Sequence, residues 1–306
     1  MSVYNHRERV FTLRHYAYKA LGWHYNNPGL SPRALNALRA YNMLYTRSGR
    51  FVSHGSVHGK GYDEQAFALA DVTAPIKHNE KGQEIYSGFG GVVMSLDITK
   101  DFTPSFETRT IICRDQGRLN SKTVQDMKRV GLVDLEFERR FEVYSTDQVE
   151  ARALVTPDFM ERLIQFDDDY LGRNIQCAFI GGRLNICLEI DDRFDFNRLP
   201  LVKNYEAVRA IVLHETAAIF TVLELCQRLQ DTIGVQTDDT MDKQRGVYYK
   251  QQLDIVKAAL ETPPESWDNA PKLDPNIRYS QFLFDGYLGD MVKSVYAPLG
   301  VPKPKF

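Results

Sequence analysis

The stretch Asn174-Ile175-Gln176-Cys177-Ala178-Phe179-Ile180-Gly181-Gly182-Arg183-Leu184-Asn185-Ile186-Cys187-Leu188-Glu189-Ile190 decides the fold. Two apolar-rich runs, 174–180 and 183–190, flank a glycine pair. A two-residue connection at Gly181-Gly182 suits the tight turns of a β-hairpin, because glycine takes positive φ without a steric penalty. Such a turn pairs Cys177 with Ile186. It sets Ile175, Cys177 and Phe179 against Leu184, Ile186 and Leu188 or their neighbours, and it turns Cys187 to the opposite face. Cys177 and Cys187 therefore read as small buried hydrophobes, not as a cross-strand disulfide. Cys113 and Cys226 lie far from them in sequence and no CxxC pair occurs, so the set of four fits a reducing compartment.

Outward from the hairpin, three further segments have strand character: 90–99, 108–114 and 135–144. In the last, Leu135, Phe137, Phe141 and Val143 alternate with Glu136, Glu138, Arg140 and Glu142, as expected of an antiparallel strand with one wet face. A helical excursion follows, with Ser145 and Gln148 as a capping box and Thr156-Pro157 opening a helix through Phe159, Met160, Leu163 and Ile164. Helices flank this region on both sides. One spans about 3–21, with Val10, Leu13, Ala17 and Leu21 on one stripe. A second opens at Ser31-Pro32, carries Ala34, Leu38, Tyr41 and Tyr45, and leaves Arg33, Arg39 and Arg47 mostly outward. Two more cover about 205–229 and 241–260, the latter ended by Thr262-Pro263-Pro264. The expected fold is α+β, a mostly antiparallel central sheet flanked by N-terminal and C-terminal helices. The expected organisation is a basic helical region at 1–60, a β-rich domain at 61–200, a helical region at 201–262 and a proline- and aromatic-rich docking tail at 263–306.

At 306 residues, 43% apolar and 25% charged, the chain is long enough to bury a core without disulfide or metal support. The apolar-leaning run from Ile85 to Leu96 has 12 residues and three glycines, short of the ~20 a membrane-crossing helix needs. The opening residues have no apolar leader character, so the expected location is cytoplasmic. Charge is uneven. Residues 1–60 hold nine Lys/Arg against the single acid Glu8, a balance of +8 within a chain of net −2, which leaves −10 for the rest. Aromatic residues such as Tyr16, Tyr18, Trp23 and Tyr25 are interleaved with these cations. This mixture suits an acidic protein partner, an anionic membrane surface or, less readily, nucleic acid. It equally suits rings packed inward with arginines meeting water or the acidic C-terminal part of the chain.

The run Phe137-Glu138-Arg139-Arg140-Phe141-Glu142-Val143-Tyr144-Ser145-Thr146-Asp147-Gln148-Val149-Glu150-Ala151-Arg152, followed by Thr156-Pro157-Asp158-Phe159-Met160, resembles the central signature of the bacterial domain-of-unknown-function family 3137. Tyr86-Ser87-Gly88, Phe102, Ala178-Phe179 and Asp192-Arg193-Phe194 fall where that family has similar features. The resemblance covers about residues 85–197. It implies no activity and no catalytic residues. Members of that family look membrane-tethered through N-terminal spans, and here basic, aromatic helices stand in their place.

Asp147, Glu150 and Arg152 read as a structural corner, in which a cap is followed by an arginine pairing with a carboxylate. His54, His58 and Asp63 are the densest candidate ligands, since His54 and His58 share a face of an extended segment and Asp63 or Glu64 adds a carboxylate, a set that suits zinc or iron. His214-Glu215 begins like a zinc-protease helix but has Ala218 where the second histidine is required. Asp167-Asp168-Asp169 offers carboxylates for magnesium or caps for turns. No phosphate loop, dinucleotide fingerprint or nucleophile elbow occurs. The function expected is therefore a non-enzymatic interaction or assembly protein that self-associates, needs no cofactor, and uses Arg7, Arg9, Arg14, Arg33, Arg39 and Arg47 as its contact surface. A metal-dependent hydrolase built on His54 and His58 and a nucleic-acid-binding protein are the alternatives.

Overall fold

The computed structural model describes residues 4–26, 52–74, 77–78, 84–86, 89–98, 108–114, 127–169, 175–180, 182–189, 204–233 and 239–264. In chain order these contain helix α1 (Tyr4–Ala20), strands β1 (His24–Asn26) and β2 (Val52–Lys60), a short 3-10 turn (Tyr62–Glu64), and strands β3 (Ala66–Ala74), β4 (Lys77–His78), β5 (Glu84–Tyr86), β6 (Phe89–Asp97), β7 (Arg109–Arg114) and β8 (Lys128–Val130). Helix α2 (Leu135–Arg140), β9 (Phe141–Ser145), α3 (Gln148–Leu154), α4 (Pro157–Asp169), β10 (Ile175–Ile180), β11 (Arg183–Glu189), α5 (Tyr205–Asp231) and α6 (Asp239–Ala259) complete the order. The protein is α+β. Nine strands form one sheet in the order β1-β2-β3-β6-β11-β10-β7-β9-β8, and β4 and β5 pair separately.

The glycine turn sets the register as expected. Cys177 stands opposite Ile186, Ile175 opposite Leu188 and Phe179 opposite Leu184, and Gly182 takes φ 73°. Every neighbouring pair in the large sheet is antiparallel. Alternation then sorts side chains between two faces. Leu69, Val92, Met94, Ile112, Cys177, Phe179, Ile186 and Leu188 join the main core under the helices. Ala70, Val72, Val93, Ile111, Tyr144, Ala178 and Cys187 form a smaller buried set on the other face. The four cysteines form no disulfide, and burial pushes the Cys177 and Cys226 thiols upward.

Helix α5 is the spine of the helical layer, buried along almost its whole length from Val208 to Gln230. Asn204 caps it by accepting from the Ala207 amide at 2.8 Å. Helix α1 lies against α5 through Val10, Leu13 and Ala17, the expected stripe. Helix α4 starts as expected, with Thr156 Oγ1 accepting from the Phe159 amide at 3.1 Å ahead of Pro157.

Two segments differ from expectation. Residues 135–144 are half helix and half strand, because Asp134 Oδ1 accepts from the Phe137 amide at 2.8 Å and nucleates a turn. Phe137 and Phe141 are then four apart, with ring centroids 5.2 Å apart in the core, while Leu135 is exposed. Residues 24–26 and 52–60, expected within a helical region, are strands: β1 is an edge of the sheet, and β2, paired on both sides, carries small and β-branched residues that suit a pleated surface. The helix expected from Ser31 and the tail beyond residue 264 lie outside the described residues.

At position 91 the sheet tolerates only glycine. A Cβ on Gly91 would lie 1.9 Å from the Leu188 carbonyl oxygen, a backbone atom of the adjacent strand that cannot step aside. Gly91→Ala is expected to lower the unfolding free energy by about 3 kcal/mol or to prevent folding, whereas Gly246→Ala, at an open helical position, raises it by up to about 1 kcal/mol. Urea titrations of the two variants check the contrast.

Candidate functional site

Arg14 reaches the buried side of α1 one helical position from Leu13 and is 2% exposed. Its Nε donates to Glu215 Oε2 at 2.8 Å and its Nη2 to Glu215 Oε1 at 2.5 Å, a two-pronged contact across 201 residues of sequence. Burial opposes the charge on Arg14, yet the Glu215 carboxylate, with Tyr25 and Tyr18 beside it, holds the guanidinium pKa above its ordinary value. Tyr18, wholly buried near the same carboxylate, has its pKa pushed well up, by burial first and by Glu215 second. Arg9 is buried one turn earlier. Two arginines assigned to an outward contact surface are therefore turned inward, and Arg14 meets an acid of the C-terminal part. The reason is register: on a 17-residue helix that buries Val10, Leu13 and Ala17, positions 9 and 14 border that stripe on either side. The side chain of Arg7 and the whole of Arg33, Arg39 and Arg47 lie outside the described residues.

Other ionic groups follow the same logic. Arg245 is 1% exposed and donates to Asp231 and, at 3.0 Å, to Asp242, with its guanidinium 5.5 Å from the Tyr62 ring centroid. Arg114 and Arg140 both engage Asp167, and Arg140 also reaches Asp168 and, at 2.9 Å, Glu136. Two carboxylates of the 167–169 run are thus partnered by guanidinium groups. His214 and Glu215 lie in the middle of α5, both buried, so that dipeptide is a packing feature and its acid is the partner of Arg14. A polar cluster fixes the 3-10 turn. Gln227 Nε2 donates to Gln65 Oε1 at 2.7 Å, Tyr249 OH donates to Gln227 Oε1 at 2.6 Å, and Gln230 Nε2 donates to the Asp97 carbonyl at 2.8 Å. These bonds anchor Gln65, and with it the left-handed Asp63 and Glu64, whose φ values are 55° and 58°.

At the corner around Asp147 the hydrogen-bond partners differ from those expected. Asp147 is the cap itself, its Oδ1 accepting from the Val149 amide at 2.8 Å and the Glu150 amide at 3.1 Å. Ser145 instead braces the turn, donating from Oγ to the Asp147 carbonyl at 2.7 Å, and Glu150 accepts from Thr108 Oγ1. Arg152 is exposed, and its Nη1 donates to the Gln148 carbonyl at 3.0 Å. It sits on the side of α3 away from the buried Ala151 and Leu154, so it is a backbone carbonyl and not a buried carboxylate that it meets.

Of the candidate metal ligands, His58 is exposed on β2 and Asp63 is exposed in the 3-10 turn, while the side chain of His54 lies outside the described residues. The β2–β3 register shifts between Ser53 and Gly55, so an unbroken extended strand does not connect positions 54 and 58. The neighbour the fold gives His58 is His24, directly opposite on β1. Residue spacing carries no sign of that partner, because the two positions are separated by the whole connection between β1 and β2. Among the described residues no group of three or more His, Cys, Asp or Glu is placed to hold a metal ion.

The depression lined by Arg162, Phe166, Leu225 and Arg228 has a volume of about 50 Å³. It has room for a water molecule or two and not for a metabolite. More conspicuous is one margin of the sheet. Beside the edge strand β8, Val133, Leu135 and Val149 are 96%, 77% and 79% exposed. Val149 is adjacent to Gln148, whose Nε2 donates to the Arg129 carbonyl of β8 at 3.2 Å.

Residues 87–229 match the model of a family described as a protein of unknown function, DUF3137. The matched span runs from the start of β6 to near the end of α5, and the resemblance carried by the 137–160 run is to this family. No curated protein and no solved structure matches the chain. No helix among the described residues is long and apolar enough to cross a membrane.

The buried ion pair and the capped corner make contrasting demands on stability. Arg14→Met and Glu215→Leu should each cost about 3–5 kcal/mol by stranding a buried charge, while the double substitution should cost far less than their sum. Equilibrium unfolding of the three variants measures this coupling. At the corner, Asp147→Ala should cost about 1 kcal/mol and Arg152→Ala less than about 0.5 kcal/mol in the same assay.

Proposed function

We propose that the protein is a non-enzymatic assembly module that self-associates through the β8 margin of its sheet. The observation that carries this reading is the exposure of three large aliphatic side chains, Val133, Leu135 and Val149, around one edge strand. Large aliphatic side chains left this exposed are what an interface leaves uncovered in the isolated subunit. Charges of both signs lie near them. Lys128 and Arg129 are exposed on β8 and Arg139 on α2, while Asp134 and Glu136 lie close by in sequence on the same connection and helix. Arg129 contacts Glu142 at 3.7 Å and Arg139 contacts Glu136 at 3.3 Å. The Arg139–Glu136 pair is exposed on both sides and contributes little within a subunit, so re-pairing it with a second copy costs little, whereas the buried Glu142 keeps Arg129. A patch bearing both signs around an apolar centre is self-complementary, which a two-fold interface requires because each patch meets its own copy.

The inward turn of Arg9 and Arg14 favours this margin over the N-terminal basic surface as the contact region. Direct pairing of two β8 strands is disfavoured, since Lys128 and Arg129 would bring like charges together, a common guard on edge strands. Contact is therefore expected through side chains of the β8–α2 connection and the first turn of α3.

Sedimentation equilibrium across the micromolar range tests this reading. The wild type is expected to associate reversibly, and Leu135→Asp combined with Val149→Asp to weaken association roughly tenfold or more with unchanged unfolding behaviour. A wild type that stays monomeric throughout, or a variant that associates as well as the wild type, overturns it.

A further inference from the structure

Cross-strand pairing at the other end of the sheet brings two histidines together that are far apart in sequence. His24 of β1 stands directly opposite His58 of β2, and their imidazole rings stack with centroids 5.1 Å apart and an interplanar angle of 19°. Both side chains are exposed. We propose that His24 and His58 form a binding site for a borderline transition-metal dication of the zinc, nickel or copper class. The proposal is independent of the self-association reading.

The chemistry is that of the donor pair. Imidazole nitrogen is a preferred ligand of zinc, nickel and copper and a poor one for magnesium or calcium, which take oxygen. Zinc holds each imidazole nitrogen at about 2.0–2.1 Å, so two nitrogens on one tetrahedral ion lie about 3.3 Å apart. Directly opposed residues of an antiparallel pair have Cβ atoms about 4.5–5.5 Å apart, and the His χ2 torsion is broad. Turning the two rings about χ2 therefore brings one nitrogen of each to a shared point without moving either strand. Among the described residues no third His, Cys, Asp or Glu joins them, so water completes the coordination shell. Lys60, the nearby cation on the same strand, has its ammonium engaged by Glu64 at 2.7 Å.

What distinguishes this pair from two chance surface histidines is that the residues flanking each histidine are tied into the core. His24 lies between Trp23 and Tyr25, both buried. Trp23 packs edge-on against Phe67 and Phe220, and its Nε1 donates to the Lys60 carbonyl at 2.8 Å. His58 lies between Val57, which is wholly buried, and Gly59, where a Cβ would fall 2.3 Å from the Trp23 ring. The indole thus occupies the space beside the strand that carries His58 while its own neighbour presents His24. Two ligands held on such a frame lose little conformational freedom when an ion joins them.

Isothermal titration of the full chain with zinc chloride, with magnesium chloride as the comparison, tests the site. Zinc is expected to bind with one dominant site in the micromolar range, and magnesium to give no saturable heat. His24→Gln and His58→Gln should each weaken zinc binding roughly tenfold or more, with thermal unfolding of the metal-free variants unchanged because both side chains are exposed. His54→Gln should leave the affinity as it is. Three outcomes would overturn the proposal: no zinc binding by the wild type, equal binding by the His24→Gln/His58→Gln double variant, or loss on His54→Gln without loss on His24→Gln.

Discussion

The contact between Arg14 and Glu215 governs how the chain closes on itself. A buried guanidinium is tolerable only with a carboxylate placed on it, and a buried carboxylate only with the reverse. Neither α1 nor α5 can shift by one helical turn along the other without separating the two, so the pair acts as a register pin in a layer otherwise held by non-directional apolar packing. Tyr18, Tyr25 and Trp23 then pack around the pinned helix, with Tyr18 5.7 Å from Tyr25 and 6.3 Å from Trp23 by ring centroid. From that cluster the chain enters β1, so the position of the sheet's first edge strand depends on an ion pair with a helix from the far end of the sequence.

That dependence gives meaning to the extent of the DUF3137 match. Residues 87–229 supply β6 to β11 and α5, but not α1, β1, β2, β3 or α6. The unmatched elements are nevertheless continuous with the matched ones. β3 pairs with β6 over eight residues, from Phe67 opposite Leu96 to Ala74 opposite Phe89, and Tyr249 of α6 packs on Phe220 at 5.1 Å. The glutamine cluster reinforces the join, because Gln65 precedes the matched span while Gln227 and Asp97 lie within it. Sheet, helical layer and polar cluster therefore cross the boundary together, and the strands before residue 87 share one core with the strands and helices after it.

Much of this was legible where local chemistry and tertiary structure agree. The Gly181-Gly182 pair fixed the hairpin register, the stripe of Val10, Leu13 and Ala17 marked the buried face of α1, and Thr156-Pro157 marked the start of α4. The misreadings share a cause. Alternation at 135–144 resembles a strand until Asp134 captures the Phe137 amide, a cap that competes with the period-two pattern. Arg14 looked outward because charge is normally solvated, and only a partner 201 residues away makes its burial acceptable. Arg152 read as the partner of a carboxylate because the corner is rich in acids, whereas Asp147 is taken up by the backbone amides of Val149 and Glu150 and Glu150 by Thr108. Pairings at long range, including His24 with His58, have no local signature, because strand order rather than spacing creates them.

Strand order also places the two surface features of interest at opposite limits of the sheet. β1 and β8 are its terminal strands, and an antiparallel sheet must protect both ends from indiscriminate pairing. The two ends do so differently. β8 is only three residues long and exposes Lys128 and Arg129, which repel a second copy of themselves while leaving the aliphatic side chains beside them open to contact. β1 is equally short, but it is anchored by Trp23 and Tyr25 from the core side and offers imidazole to the solvent side. A long edge strand could support neither arrangement, since its backbone would dominate whatever approached. Shortness at both margins leaves side chains rather than main chain to meet whatever approaches, so one continuous sheet presents exposed aliphatic side chains near one end and two stacked imidazoles at the other.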